Sequence, residues 1–172
     1  MLKKIAVALA LVSFFSFENT KAQTDFCTSL NELVKLSAEN FRSVKGTEKS
    51  RKRDIAGKEI VLFGSTFVVD GFEEIEIHND YEWYWVGRFG QLRADYQDAQ
   101  DDFKKLSGMV KGCLTGWNYK EMDKNPSDIY EFRGAFTQRG AESAIVNIYI
   151  QKLPKDKKFF TQLSVKGTKK AY

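Results

Sequence analysis

The sequence predicts an α+β fold: two antiparallel helices on one face of a mostly antiparallel sheet of about six strands, built as two halves that each run helix and then three strands. Two apolar stripes at helical spacing, one near the start of the chain and one near its middle, supply the helices. Each stripe is followed by β-branched and aromatic runs punctuated by Gly, Asp and Asn, which supply the strands and their turns. With two prolines and no low-complexity tract, the chain offers no linker at which to divide it.

The chain opens on Lys3 and Lys4, an apolar run from Ile5 to Phe17 and the ending Thr20-Lys21-Ala22. Residues 1–22 thus have the layout of a secretory signal peptide, and residues 23–172 are read as a single domain. The apolar run is shorter than the roughly 20 residues a permanent transmembrane helix needs. A lipid anchor on Cys27 is disfavoured because Thr24-Asp25-Phe26, rather than small residues, precede it. The expected product is soluble and exported, periplasmic or extracellular. Taking Lys3, Lys4, Lys21 and Glu18 from the 27 basic and 23 acidic residues leaves 24 and 22, a net of +2. That balance removes most compositional support for a nucleic-acid partner.

The first stripe comprises Phe26, Leu30, Leu33, Val34, Ala38 and Phe41, with Thr24 or Asp25 as N-cap and Gly46 as the stop. The polar stretch Thr47 to Lys58 reads as a loop. Ile60 to Phe63 and Thr66 to Val69, interrupted by Gly64-Ser65, are either one bulged strand or a tight hairpin. Asp70-Gly71 supplies a turn. Glu74-Ile75-Glu76-Ile77-His78 alternates with its isoleucines toward the core. Asn79-Asp80 makes the next turn, and Tyr81 to Phe89 returns as an aromatic strand.

The second stripe runs Leu92, Tyr96, Ala99, Phe103, Leu106, Val110 and Cys113, with Gly112 and Gly116 at its end. A loop with Trp117, Tyr119 and Asn125-Pro126 leads to strands over Ile129 to Thr137, Ala144 to Lys152 and Lys158 to Val165. Gln138-Arg139-Gly140 and Pro154-Lys155-Asp156 supply the turns. Short tripeptide similarities between the halves recur elsewhere and do not establish a duplication.

In an oxidising compartment Cys27 and Cys113 are expected to form a disulfide rather than a catalytic or metal-binding pair. Cys27 lies at the start of the first stripe and Cys113 at the end of the second, which predicts helices side by side and antiparallel. A redox role would call for a C-x-x-C spacing, and the chain has none.

No catalytic residues, cofactor or metal are expected. His78 is the chain's one histidine, so a zinc site needing several is excluded, and its place at a hairpin edge suits a solvated turn residue. No G-x-S-x-G, H-E-x-x-H or phosphate-cradling glycine loop occurs. Asp95, Asp98, Asp101 and Asp102 sit where acidic side chains favour a helix N-terminus, without calcium-loop spacing. Glu74, Glu76 and His78 are the one cluster a carboxylate-dependent hydrolase would use, the alternative reading of this chain.

The segment Tyr81 to Phe89 carries the leading reading. Alternation sends Tyr81, Trp83, Trp85 and Phe89 to one side and Tyr84, Val86 and Arg88 to the other, so both faces are substantially apolar. Either helices cover one face and the loop Gly116 to Asn125 the other, or the face away from the helices is an aromatic platform. On the second view Trp83, Tyr84, Trp85 and Arg88 are candidate binding residues. The expected function is non-catalytic binding of a protein or peptide, less readily a carbohydrate, by an inhibitor or envelope accessory factor. The basic stretches Lys49 to Arg53 and Lys166 to Lys170 are expected to be solvated.

Overall fold

Backbone pairing joins eight strands into one antiparallel sheet, two more than expected, and a helix precedes each group of four. The computed structural model describes residues 25–53, 57–124, 130–141, 143, 145–153 and 155–168; residues 1–22, expected to be a signal peptide, and the end of the basic tail lie outside them. Helix α1 covers residues 25–37. A single 3-10 turn leads to β1 (Lys45–Arg53), β2 (Glu59–Ser65), β3 (Phe72–Asp80) and β4 (Glu82–Arg93). Helix α2 (Tyr96–Cys113) then precedes β5 (Asn118–Asp123), β6 (Tyr130–Thr137), β7 (Val146–Lys152) and β8 (Phe159–Lys166). The sheet order is β1-β2-β3-β4-β8-β7-β6-β5, so two meanders meet where β4 pairs with β8.

The two strands read as loops, β1 and β5, are the two edges of the sheet. In β1 every residue but Gly46 is exposed, and in β5 only Tyr119 and Met122 are partly buried. Their backbones pair with β2 and β6, but their side chains bury no continuous face and leave no apolar alternation. Charged residues on β1 also disfavour further edge pairing. Each half is therefore a helix and four strands. Conversely, Thr66 to Val69 forms no strand: the chain leaves β2 at Ser65, exposes Val68 and buries Val69.

Other boundaries move for local reasons. α1 ends well before Gly46 because Asn40 and Phe41 adopt left-handed φ of 57° and 58°, with Phe41 N–H donating to Leu36 O at 3.0 Å. The reversal still delivers the Phe41 side chain to the core, fully buried. Gly46 lies inside β1, where a Cβ would stand 3.0 Å from Gly64 O. Asn79 and Asp80 belong to β3, and the turn centres on Tyr81. Leu92 belongs to β4, so α2 begins later than its stripe, capped by Asp95 accepting from Gln97 N–H at 2.7 Å. Asp102 is turned toward the sheet: it accepts from Arg93 at 2.7 and 3.0 Å and ties α2 to the end of β4.

Both helices pack on one face of the sheet. Phe26, Leu30 and Leu33 of α1 and Ala99, Phe103, Leu106 and Val110 of α2 share one core with Ile77, Trp85, Ile148, Leu163 and Val165. Along β4, Trp85 and Phe89 point into this core with Gly87 between them. A Cβ on Gly87 would stand 2.8 Å from the Trp85 ring and 2.9 Å from Phe72, so the absent side chain is what lets the indole lie there.

Cys27 and Cys113 form the predicted disulfide, with Cα atoms 4.9 Å apart. The expected side-by-side antiparallel helix pair does not accompany it. Thr161 Oγ1 donates to Ala99 O at 2.9 Å, fixing the first turn of α2 near the start of β8. Thr168 N–H donates to Ser37 O at 3.0 Å, fixing the last turn of α1 beyond the other end of β8. The bond thus joins the start of α1 to the end of α2 while their other ends lie far apart along one strand.

Candidate functional site

The face of the sheet opposite the helices is continuous across all eight strands, and its composition follows from alternation. Every second residue of β7, namely Asn147, Tyr149 and Gln151, points away from the core that Val146, Ile148 and Ile150 fill. Registers then align a row across five strands: Arg88 faces Gln162, Gln162 faces Tyr149, Tyr149 faces Arg133, and Arg133 faces Met122. A parallel row runs Glu76, Val86, Ser164, Asn147, Ala135 and Lys120. His78, Tyr84 and Lys166 form a third.

The four residues expected to form the platform are divided by this geometry. Trp85 is fully buried in the helix-side core, with its ring edge-on to Phe72. Trp83 points to the same side, stacked on Phe63 at 5.9 Å with Lys45 Nζ 5.4 Å from its ring centroid. Tyr84 and Arg88 alone lie on the helix-free face. The segment expected to cover that face is largely β5, a member of the same sheet. Alternation fixed the two sets of side chains but not which set the helices would cover.

On the β3–β4 side the face carries several paired charges, while the buried Asp80 Oδ1 has no hydrogen-bond partner among the described residues. Arg88 is 9% exposed and is held by Glu73 Oε2 at 2.8 Å, Glu74 Oε1 at 3.1 Å and its own donation to Gly90 O at 2.9 Å. Glu74 reaches it from a bulge where its φ is 49°. Glu82 accepts from Lys166 at 2.6 Å and from Tyr84 Oη at 2.7 Å. Burial pushes the Glu82 carboxyl up, but those two hydrogen bonds prevail and hold it below the usual carboxylate range. Burial and the Glu82 hydrogen bond both push the Tyr84 phenol well above its ordinary value, so it remains a donor.

The carboxylate cluster of the hydrolase alternative is separated. His78 Nε2 lies 3.2 Å from Glu76 Oε2, whereas Glu74 is committed to Arg88. Burial drives the His78 pKa below the ordinary imidazole range, against the opposing effect of Glu76. The unfolded chain therefore binds a proton more readily, and stability rises with pH through that range. The contribution is complete above the ordinary imidazole value and is lost as pH falls through it toward the lower folded value. Urea unfolding at stepped pH should show this loss in the native protein and a flatter profile in His78→Asn; superimposable profiles would remove His78 as its source.

On the β6–β8 side the face is tyrosine and amide rather than ion pairs. The Tyr130 and Tyr149 ring centroids are 5.2 Å apart, and Arg133 stands 5.7 Å from the Tyr149 centroid. Burial pushes the Tyr149 phenol up, opposed by the nearby Arg133 charge. Asn147 and Ser164 are buried among these side chains. Sequence reasoning passed over Arg133, Asn147 and Tyr149, although the Val-Asn-Ile-Tyr-Ile-Gln alternation from Val146 was the signal that could have found two of them. Among the described residues, no three His, Cys, Asp or Glu side chains group as a metal site, and no helix is long and apolar enough to cross a membrane. No family model matches this chain, and neither a curated protein nor a solved structure matches it.

Proposed function

We propose that this is an exported, non-catalytic binding protein, an inhibitor or envelope accessory factor, whose helix-free sheet face receives another protein. The carrying observation is the run Tyr84, Gln162, Tyr149, Tyr130 and Arg133 on a face that no helix covers among the described residues. Tyrosine and arginine supply disproportionate binding energy at protein interfaces, because large rings lose little conformational freedom when docked. Amide and hydroxyl groups between them offer hydrogen bonds without a desolvated charge. Export rests on the layout of residues 1–22, and the disulfide is compatible with it. The carboxylates the hydrolase reading would use are engaged in contacts within the protein, Glu73 and Glu74 with Arg88 and Glu76 with His78.

A photo-crosslinking residue at Gln162 is expected to trap a discrete protein adduct in the native envelope, and one at exposed Lys104 on α2 is not. Adding Tyr149→Ala should reduce the Gln162 adduct by about tenfold or more, the effect of losing an interface anchor. Adducts only from Lys104 would move the binding surface to the helices.

A further inference from the structure

Arg133 is a partly buried cation of that face whose own contacts supply no counter-charge. Arg88 and Lys166 each hold a carboxylate, and Lys120, the remaining cation of the face's central rows, is exposed on the edge strand β5. Arg133 instead donates from Nε at 3.1 Å and Nη2 at 2.7 Å to a single neutral oxygen, Asn147 Oδ1. Its cross-strand neighbours are Met122 and Tyr149, and no carboxylate among the described residues lies within ion-pair distance of it. Asn147 and the Tyr149 ring hold the guanidinium plane, and no acceptor among the described residues meets Nη1. A partly buried, oriented guanidinium without a counter-charge is a costly arrangement by itself, and it favours an incoming anion in a setting less polar than bulk water.

We propose that Arg133 anchors an aspartate or glutamate side chain of the partner protein, seated against Tyr149. The inference rests on the protein-binding reading of the face and names the chemistry of its occupant. A single oriented guanidinium among Asn147, Gln162 and tyrosines suits one carboxylate with neutral hydrogen-bonding neighbours. A nucleic acid or other polyanion would call for a track of cations.

The test is an NMR titration of the full, oxidised protein, following the Arg133 Nε–Hε and Tyr149 ring signals, with acetylated tetraglutamate amide as probe. Tetraglutamine amide, inorganic phosphate and vesicles containing anionic lipid are the comparison arms. Tetraglutamate should shift both signals saturably, tetraglutamine should not, and raising salt should weaken the effect on the order of tenfold. The Arg88 signal should stay fixed, and Arg133→Gln should abolish the Tyr149 shift while leaving the indole signal of buried Trp85 in place. An unmoved Arg133 signal would overturn the proposal, as would shifts by phosphate or vesicles equal to those by tetraglutamate. These outcomes separate from the crosslinking test: a Gln162 adduct with Arg133 unmoved by tetraglutamate rejects the anchor and leaves the face, whereas a tetraglutamate shift without any adduct rejects the face as a protein-binding surface.

Discussion

Replacing Cys27 and Cys113 together by alanine is expected to destabilise the oxidised protein by about 4–5 kcal/mol on the loop-entropy account. The bond joins residues 86 positions apart, and the segment it closes contains β1 to β4 and almost all of α2. Opening it gives that freedom to the unfolded chain, while the folded chain keeps its sheet pairing. Urea unfolding should show a lower midpoint and a larger m-value, because an unfolded chain without the cross-link exposes more surface. Either single substitution should match the double one, since each breaks the same bond. A loss below about 1 kcal/mol would mean that the unfolded chain retains structure joining those segments.

Trp85→Ala is expected to cost about 3–5 kcal/mol, the range for truncating a large buried aromatic side chain. Its ring is completely buried and packs against Phe72 over the gap left by Gly87. Its Nε1 has no hydrogen-bond partner among the described residues. An unpaired buried donor costs roughly 1–3 kcal/mol, so Trp85→Phe removes that penalty along with part of the ring volume. The phenylalanine variant should therefore lose much less stability than the alanine one. Equal losses in urea unfolding would show that indole volume dominates, and a small loss in Trp85→Ala would contradict the packing. Because Trp85 faces the helices, Trp85→Ala should reduce binding only through unfolding, whereas Tyr149→Ala should do so in a folded protein.

The elements legible in the sequence were those whose side chains are sorted by burial. Phe26, Leu30 and Leu33, and then Ala99, Phe103, Leu106 and Val110, recur at helical spacing because one helical face is dry. Ile75 and Ile77 alternate with Glu76 and His78 for the corresponding reason in a strand. β1 and β5 escaped because edge strands are specified by a neighbour's backbone, which has no sequence signature. The candidate face was half legible: Tyr84 and Arg88 were assigned away from Trp85 correctly, but the tryptophans drew attention to the covered side.

By itself, then, the sequence determined the α+β class, the two helical stripes, the pairing of its two cysteines and the division of each central strand into two sets of side chains. Those are local properties, set by periodicity and composition. Tertiary structure alone decided that the sheet has eight strands, that the helices are not antiparallel neighbours, and that Trp85 is core while Arg133 stands beside Tyr149. Each of those depends on which strand lies next to which and which face the helices cover. Those choices are set by contacts between residues far apart in the chain, such as Arg88 with Gln162 and Thr161 with Ala99, and local periodicity carries no record of them.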